Sequence, residues 1–401
     1  MSVDRIATSR SLISLFSGCG GFDLGFRRSG FIAAAAFDCD GIAIEHYKRN
    51  LRSDAYVADL SRDFPFPPRG QPVATILAGP PCQGFSTVGR RDPDDPRNYL
   101  LPLVSEFGAR LKPLVLVVEN VAGALSGPHV RHWAELEYRL RLVGYRTHTV
   151  KANALDFGMA QLRRRLFLFA WRTNRDVDFH MAFAKSGRLD RVLSGVESQQ
   201  NHTPKPLQPG TRLYALSRRI GPGQKLSNVR GGPRSVHTWN IPEVYGATTA
   251  AECALLETLM CLRRSERRRD FGDADPVSPA KLERELGSPV LNLIARLVKK
   301  GYLRRVGHYV DLVHTFNGKC RRFRWDDVAC TVDTRFGDPH LFLHPNEHRP
   351  FTVREAARIQ GFPDQFTFTG PEKDQFRLIG NAVPPAMASA AATIVRRLLS
   401  L

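Results

Sequence analysis

The chain has 401 residues, 42% of them hydrophobic and 24% charged, which is typical of a globular protein with one large or two medium domains. It has no run of about 18 apolar residues that would predict a membrane span. Its seven cysteines are an odd number and lack a CxxC pair. This cysteine pattern argues against a disulfide framework or a metal site and favours a cytoplasmic compartment. The net charge of +19 indicates a polyanionic partner such as nucleic acid, although an arginine-rich composition is also common in GC-rich genomes.

The first 170 residues alternate short apolar segments with helical patterns. This order predicts a doubly wound, Rossmann-like α/β fold built on a parallel sheet. The predicted strands are Leu12–Phe16, Ile32–Phe37, Thr75–Ala78, Leu114–Glu119, Arg146–Ala152 and Leu166–Ala170. Apolar residues at helical spacing predict helices over Gly41–Asn50 and His132–Val143.

A glycine-rich turn follows the first predicted strand. Gly18, Gly20 and Gly21 would let the backbone approach a ligand where the strand leads into a helix. Asp38 ends the second strand, where a carboxylate can accept both ribose hydroxyls of a nucleoside, and Asp59 follows a third short strand and could accept from an adenine amino group. Acidic strand ends without a phosphate-binding lysine favour S-adenosylmethionine over ATP or NAD.

A cysteine lies in the sequence GPPCQGFS, which covers residues 79–86 and follows the strand predicted at Thr75–Ala78. Two prolines before Cys82 and a glycine after it make a helix through this point unfavourable. A thiol held on a stiff turn at a strand end is suited to act as a nucleophile. The alternative is a buried cysteine with a structural role.

Polar residues lie beside two further predicted strands. Glu119 ends an apolar run, so its carboxylate should emerge at the edge of the sheet where ligands bind. Gln161, Arg163 and Arg165 alternate along the chain before the next strand and should point to one side. An exposed strand-end charge and a solvated basic turn are the alternatives for these two groups.

From about residue 172 to 345 the pattern changes, because prolines, glycines and arginines interrupt every apolar run. Recurring arginine clusters, including one over Lys319–Arg324, favour a phosphate-facing surface over a set of merely solvated charges. Within this part, residues 249–315 predict three helices and a hairpin, with Ser278 as the N-cap of the second helix. That is the order of a winged helix-turn-helix, although it also occurs in unrelated folds.

Regular structure returns after residue 350. Thr352 and Glu355 have the spacing of a capping box, and the helix that they begin should end at the Gly361-Phe-Pro sequence. An Ala- and Leu-rich amphipathic helix is predicted over Pro385–Leu399.

Six motifs, in this order and spacing, resemble those of the DNA (cytosine-5)-methyltransferase family. They are FSGCGGF, GPPCQGFS, ENV, QLRRR, REAARIQGFP and IGNAVPP. The resemblance covers residues 10–170 and 350–400, and the stretch between them occupies the position of the family's target-recognition domain. It implies an S-adenosylmethionine-dependent methyltransferase core with a second, smaller, irregular α+β domain.

The resemblance implies a role for each catalytic residue. Cys82 would attack C6 of cytosine as a thiolate, and Glu119 would hold N3 in its protonated form. Arg165 would hydrogen-bond to O2 of the base, and Arg163 would help to hold the base beside the thiol. The target base would have to leave the duplex to reach Cys82.

The resemblance also implies two sets of binding residues. Asp38 departs from the family pattern, which usually has glutamate there, so the ribose contact would be one methylene shorter. The residues expected around the cofactor are Phe16, Gly18, Gly20, Gly21, Asp38, Asp59, Pro80, Leu100 and Asn381. The residues expected to contact DNA are Gln83, Ser86, Arg90, Arg91, Gln161, Arg324 and Arg335.

The sequence thus predicts a catalytic, cofactor-binding domain over residues 10–171, a target-recognition domain over 172–345 and a return to the catalytic domain over 346–401. The expected function is sequence-specific methylation of double-stranded DNA, as the modification enzyme of a restriction-modification system with a cognate endonuclease. A prokaryotic, cytoplasmic, nucleoid-associated monomer is expected. A tRNA cytosine-5 methyltransferase, and a DNA-binding regulator that retains the fold, are the alternatives.

Overall fold

The computed structural model describes residues 10–63, 73–81, 95–181, 184–265 and 274–400. The chain divides into two compact units. Unit 1 comprises Met1–Thr203, Asp326–Phe336 and Thr352–Leu401, and unit 2 comprises Pro204–Trp325 and Gly337–Phe351. Residues 172–203 and 326–336 were predicted to lie in the target-recognition domain, but they group with unit 1. One reason is that Leu162 N donates to Ala329 O at 2.9 Å, which ties this returning segment to unit 1. Residues 346–351, predicted to belong to the catalytic domain, group with unit 2.

Unit 1 is built on a seven-stranded sheet with the spatial order β3-β2-β1-β4-β5-β7-β6. The strands are β1 Ser11–Leu15, β2 Ile32–Asp38, β3 Ala55–Val57, β4 Thr75–Ala78, β5 Val115–Val121, β6 Arg146–Asn153 and β7 Arg164–Trp171. Neighbouring strands are parallel from β3 to β5. The sheet is therefore doubly wound where the alternating pattern predicted it.

Strand β7 departs from the all-parallel expectation, because it runs antiparallel to both β5 and β6. Only residues 154–163 connect β6 to β7, and a parallel connection needs a crossover of a dozen or more residues, usually a helix. The reversal has a consequence for the site. The first residues of β7, Arg164 and Arg165, lie beside the last residues of β5, at the carboxyl edge of the parallel strands.

Helices cover both faces of this sheet. The helices of unit 1 are α1 Gly21–Arg28, α2 Gly41–Leu51, α3 Leu100–Leu111, α4 Val130–Leu142, α5 Leu189–Val192, α11 Val353–Gln360, α12 Glu372–Asn381 and α13 Pro385–Leu399. Short 3₁₀ helices lie at Pro96–Tyr99, Ala122–Leu125, Gly127–His129 and Ala154–Asp156. One face of the sheet packs on α1 and α13, and the other packs on α3 and α4, so each face has its own apolar core.

Helix α13 is a core helix of unit 1. The stretch Glu372–Leu399 is long and apolar enough to cross a membrane by length and composition, with a mean hydropathy of 1.4 over its best window. However, 72% of that window is buried inside the protein. Ile394, Val395 and Leu398 of α13 are almost wholly buried against the sheet, which accounts for the apolar composition.

Unit 2 has less regular structure. Its helices are α6 Arg212–Arg219, α7 Pro242–Tyr245, α8 Ala250–Ser265, α9 Pro279–Leu286 and α10 Leu291–Lys299, with a 3₁₀ helix at Thr238–Asn240. Its strands are β8 Lys225–Ser227, β9 Ser235–Val236, β10 Leu303–Val306, β11 Tyr309–Leu312, β12 Asn317–Lys319, β13 Arg321–Arg322 and β14 Phe342–Leu343. The three helices and the hairpin that the sequence predicts between 249 and 315 are present.

Candidate functional site

The candidate site lies at the carboxyl edge of the parallel strands of unit 1. Strands β1, β2 and β4 end there, and the segments that follow them hold the glycine turn, Asp38 and Gly79–Pro81. Strand β5 brings Glu119 to the same edge. In open α/β sheets ligands bind at this edge, because the strand ends and the loops after them leave a crevice there.

Glu119 and Arg165 form an ion pair at this edge. Arg165 Nε lies 2.8 Å from Glu119 Oε1, and the two side chains are only 12% and 11% exposed. The pairing follows from strand register. Glu119 lies opposite Phe167 in the antiparallel pair, so Arg165, two residues earlier, lies diagonally across from Glu119 on the same face.

Burial raises the pKa of the Glu119 carboxyl above its ordinary value. The positive charges of Arg165 and Arg163 oppose this shift, and burial outweighs them. The carboxyl group therefore retains a proton at a higher pH than an exposed glutamate would. A carboxyl with this bias can act as a proton donor to a bound ring nitrogen.

Asn120 connects β5 to the segment that leads to the predicted nucleophile. Its Nδ2 donates to Pro80 O at 3.3 Å, and its Oδ1 accepts from Val121 N at 2.8 Å. Asn120 lies in the ENV motif next to Glu119, but no role was predicted for it. Cys82, Gln83, Ser86, Arg90 and Arg91 lie outside the described residues.

Arg163 is almost completely buried, at 1% exposure. Its guanidinium donates to three main-chain carbonyls, those of Val332, Gly380 and Ala382, at 2.8, 2.9 and 2.9 Å. These bonds hold the returning segments of unit 1 against the sheet. The prediction that Arg163 holds the base does not fit this geometry, since its two terminal nitrogens donate to the backbone; a positioning role fits it better.

Gln161 does not fit the predicted contact with DNA. Its side chain is fully buried. Its Nε2 donates to Ile359 O at 3.0 Å and to Gln360 Oε1 at 2.7 Å, and its Oε1 accepts from Val332 N at 3.1 Å. A buried amide with these bonds anchors α11 and the segment around residue 332 rather than facing a ligand.

The glycines of the turn have different physical roles. Gly18 and Gly20 have φ angles of 54° and 93°, which glycine adopts without strain. A Cβ on Gly20 would overlap Leu51, and a Cβ on Gly21 would overlap Val383 O, so these two positions are small because protein atoms pack against them. A Cβ on Gly18 would meet no described atom within 4 Å. Among the three, Gly18 alone borders open space in the part of the chain that the structure describes.

The turn is tied to the end of β2 by Asp38. Its Oδ2 accepts from Gly18 N at 2.8 Å and its Oδ1 accepts from Asp40 N at 2.9 Å. Burial raises the pKa of the Asp38 carboxyl, while the two backbone bonds oppose the shift. In the same turn Ser17 Oγ is buried and has no hydrogen-bond partner among the described residues. No role was predicted for Ser17 from the sequence.

The other residues predicted around the cofactor are distributed as follows. Phe16 is half-buried and has a φ of 53°, Pro80 is buried, Leu100 is half-buried at the start of α3, and Asn381 is exposed at the end of α12. Asp59 is exposed, and its Oδ1 already accepts from Ser61 N at 3.0 Å and Ser61 Oγ at 2.6 Å. These bonds lower the pKa of the Asp59 carboxyl.

The two arginines predicted to contact DNA from the later part of the chain are both exposed. Arg324 lies in unit 2 and Arg335 in unit 1. The main chain of Arg335 donates to Asp333 Oδ1 at 2.9 Å, and its guanidinium donates to Asp333 Oδ2 at 3.0 Å.

Over the described ranges no group of three or more His, Cys, Asp or Glu residues is placed to hold a metal ion.

An ion pair that sequence reasoning missed lies next to the Asp38 loop. Asp40 caps α2, since its Oδ1 accepts from Ile42 N at 3.0 Å and from Ala43 N at 3.3 Å, and its Oδ2 pairs with Arg377. The Arg377 contacts lower the pKa of the Asp40 carboxyl. No local signal in the sequence indicates this pair, because 337 positions separate its members.

The chain is similar to known proteins over nearly its whole length. A family model described as C-5 cytosine-specific DNA methylase matches residues 10–396. The chain is 30% identical to Type II methyltransferase M.AgeI of Thalassovita gelatinovora, over 97% of this chain and 99% of that protein. It is 28% identical to Type II methyltransferase M.HgiCII of Herpetosiphon aurantiacus, over 94% of each chain.

Two solved structures are similar in fold. A prophage-encoded protein from E. coli has a TM-score of 0.58 at 22% identity and covers 98% of this chain and 99% of its own. The methyltransferase EhMeth of Entamoeba histolytica has a TM-score of 0.55 at 16% identity and covers 98% of each chain. At these identities the likeness concerns the α/β fold alone.

Proposed function

We propose that this protein methylates one cytosine within a short sequence of duplex DNA. The premise is its family: the chain belongs to the C-5 cytosine-specific DNA methylase family and is a DNA (cytosine-5)-methyltransferase. The observation that carries this proposal is the buried Glu119–Arg165 pair at the carboxyl edge of the sheet. It supplies a carboxyl group and a guanidinium side by side. Together these two groups match the N3 and O2 positions of a cytosine ring.

In the proposed reaction Cys82 is the nucleophile. Its thiolate forms a bond to C6 of the cytosine, and the electron pair of the C5–C6 bond makes C5 nucleophilic. After C5 has gained a methyl group, loss of the C5 proton restores the double bond and releases the thiolate. Asn120 supports this arrangement, because it binds Pro80 O two residues before Cys82 in the sequence.

Glu119 and Arg165 act on the ring while Cys82 attacks. Glu119 holds a proton at N3, which makes C6 more electrophilic and compensates the charge that develops on the ring. Arg165 donates to O2 and orients the carboxyl group through the 2.8 Å contact. Arg163 acts indirectly, by fixing the segments near residues 332 and 380–382.

The residues of the glycine turn would hold S-adenosylmethionine, which supplies the methyl group. Two observations on the turn support the fit. Each oxygen of Asp38 accepts one backbone hydrogen bond and has a further lone pair for a ribose hydroxyl. Ser17 Oγ is a buried hydroxyl without a partner in the described part of the chain. Phe16, Gly18, Gly20, Gly21, Asp59, Pro80, Leu100 and Asn381 complete the proposed set.

We infer further that the enzyme acts on a base rotated out of the duplex, because the ring atoms of a cytosine stacked inside the helix are inaccessible to a protein nucleophile. The relatives named Type II methyltransferases support a role beside a cognate restriction endonuclease. Unit 2, with exposed Arg324, is proposed to recognise the target sequence, and Arg335 to contact the DNA backbone. A cytoplasmic monomer remains part of the proposal.

The test uses the full chain with S-adenosylmethionine carrying a labelled methyl group and a duplex of mixed sequence. We expect label at C5 of cytosine within one short site, read by bisulfite sequencing of the product. An equal amount of tRNA serves as the second substrate. Transfer to tRNA but not to the duplex, or transfer to neither by a folded protein that binds the cofactor, would overturn the proposal.

The Cys82→Ala variant tests the covalent route. Transfer should fall below about 1% of the wild-type rate, because no other group can form the bond to C6. Binding of the cofactor, measured by calorimetry, should be nearly unchanged. As a control, Cys261→Ala removes an exposed thiol of α8 in unit 2 and should retain transfer. Normal turnover of the Cys82 variant would exclude the covalent mechanism while leaving methylation itself in place.

A further inference from the structure

A module of helices and a hairpin lies within unit 2, over the described parts of residues 250–313. Helix α8 is followed by Val277, which pairs with Val310 of β11: Val277 N donates to Val310 O at 2.9 Å, and Val310 N donates to Val277 O at 2.8 Å. Helices α9 and α10 and the antiparallel hairpin β10–β11 follow. The order is helix, bridge strand, two helices and hairpin, with the bridge strand paired to the outer strand of the hairpin.

This module is built around one apolar core, to which Trp239, before the module in the chain, also contributes. Every helix and both hairpin strands contribute side chains that are almost fully buried: Leu255, Leu256, Leu259, Leu282, Ile294, Leu297, Leu303, Val310 and Leu312. Burying a side chain of this size contributes about 1.5–3 kcal/mol. The helices and the hairpin are therefore held together by their shared core.

Helices α9 and α10 are joined as a helix-turn-helix. Gly287 ends α9 in the left-handed conformation, with a φ of 63°, and only three residues separate it from α10. Glu283 Oε1 accepts from Val290 N at 3.1 Å and fixes the angle at which α10 begins. Helix α10 buries Ile294 and Leu297 and turns the opposite face to solvent.

The solvent face of α10 carries side chains suited to the edges of base pairs. Leu291, Asn292, Ala295 and Lys299 are exposed, and Leu291 is 58% exposed although it is a large apolar residue. An amide can bind adenine bidentately, and an apolar side chain can contact the methyl group of thymine. Residues at the start of the second helix of such a motif are those that contact bases in the major groove.

The charges around this face are positive. From Leu286 to Val310 the sequence has no Asp or Glu, whereas it has Arg296, Lys299, Lys300, Arg304 and Arg305. His308 lies at the tip of the hairpin.

Two buried carboxylates pack beneath these basic residues, and each faces two cations. Glu252 pairs with Arg296 and Lys300 at 3.4 and 2.7 Å, and Asp311 pairs with Arg263 and Arg304 at 2.6 and 3.0 Å. Each cluster therefore has an excess positive charge.

We propose that the 250–313 module is a winged helix-turn-helix that binds duplex DNA, with α10 in the major groove and the β10–β11 hairpin on the adjacent backbone. Lys299 and Arg305 contact phosphates, and Leu291 and Asn292 contact base edges. The contact is a second one, separate from the site of methyl transfer, and it needs neither cofactor nor a flipped base.

The test measures binding of the full chain to a labelled duplex of about 30 base pairs, without cofactor, over a series of salt concentrations. Lys299→Ala and Arg305→Ala should each weaken binding several-fold. Each should also reduce the slope of log K against log salt by about 1, because each removes one phosphate contact. All the substituted residues are exposed, and circular dichroism confirms that each variant is folded.

The matched control is Arg264→Ala, which removes an exposed cation from α8, the helix that the arrangement keeps out of the groove. Its salt slope should equal that of the wild type. In selection from a random duplex pool, Leu291→Ala combined with Asn292→Ala should lose preference at adjacent base pairs. Variants of α10 and the hairpin that bind like Arg264→Ala would overturn the proposal. Because binding is read without methyl transfer, a failure of the proposed reaction would not affect this result.

Discussion

Glu119 shows how one residue combines two opposing electrostatic effects. Burial disfavours its charged form, while Arg165 and Arg163 favour it, and the net result is a raised pKa. A carboxyl group that was simply paired would stay ionised and could only accept a hydrogen bond. The raised pKa increases the fraction of Glu119 that is protonated at a given pH. The protonated form is the one that the proposed reaction needs.

The Glu119→Gln variant tests this role. We expect the single-turnover rate of methyl transfer to fall by about 10²-fold or more, because the amide has no acidic proton for N3. The amide oxygen can still accept from Arg165, so the fold should be retained. In the wild type the rate should decline as pH rises through the raised pKa, whereas the variant should lack that limb. A near-normal rate in the variant would contradict the role.

A second buried carboxyl lies behind the glycine turn. Asp23 accepts from Ser14 Oγ and from Tyr47 Oη, both at 2.8 Å, in the interior of unit 1. Burial raises the pKa of the Asp23 carboxyl from 3.8 to about 6, and the two hydrogen bonds oppose this shift. The protonated form is thus favoured in the folded state, so this group makes stability depend on pH.

The sign of that dependence follows from the two pKa values. Below about pH 4 the Asp23 carboxyl is protonated in both the folded and the unfolded state. As the pH rises from about 4 to 6, the carboxyl ionises in the unfolded state only, so the free energy of unfolding falls by up to about 3 kcal/mol. Urea unfolding of the wild type and of Asp23→Asn at several pH values measures the difference. The variant should lack this loss. Asp54→Asn, at an exposed position, is the control. If the stability of Asp23→Asn changed with pH in parallel with that of the wild type, the prediction would be refuted.

At the scale of elements, the packing of α1 on the C-terminal segment shapes the site. A Cβ on Gly21 would overlap Val383 O, and one on Gly25 would overlap Ala388 of α13. The two helices therefore approach closely, and they bring Asn381 near the start of the chain's first helix. Glycines that the sequence pattern assigned to ligand approach are in part needed for this contact.

Gly21→Ala should destabilise the protein by about 1–3 kcal/mol, since the added methyl group must displace backbone in a packed interior. The matched control is Gly41→Ala, because Gly41 is also the first residue of a helix and its Cβ would meet only Val57, at 3.9 Å. That control should be neutral or slightly stabilising. Denaturant midpoints of the two variants compare them directly, and equal midpoints would show that the interior yields to the extra methyl group.

Local signals predicted several elements to within a few residues. Thr352 and Glu355 form the expected capping box, with Thr352 Oγ1 accepting from Glu355 N at 3.2 Å and Glu355 Oε2 accepting from Thr352 N at 2.8 Å. Ser278 caps α9 as expected, and α13 spans Pro385–Leu399 as predicted. Caps and apolar periodicity depend on residues within one or two turns, so the sequence contains them in full.

At the scale of the whole molecule, the six motifs in order predicted the family and the α/β fold, and both are confirmed. The predicted strands also placed Glu119 and Asp38 at strand ends on one edge of the sheet. The assignment of domains was less accurate, because residues 172–203 and 326–336 group with unit 1. Composition marks where regular patterning stops, but it does not mark which segments return to pack on the core.

The sequence by itself determined the strands, the helix ends and the identity of the chemical groups, because these depend on neighbours along the chain. Tertiary structure alone decided the direction of β7, and with it the Glu119–Arg165 contact. It also decided that Gln161 and Arg163 face the protein interior, where their partners, backbone groups and the side chain of Gln360, lie about 170 to 220 positions away. The physical reason is that a hydrogen bond or an ion pair is set by distance in space, which no local pattern encodes.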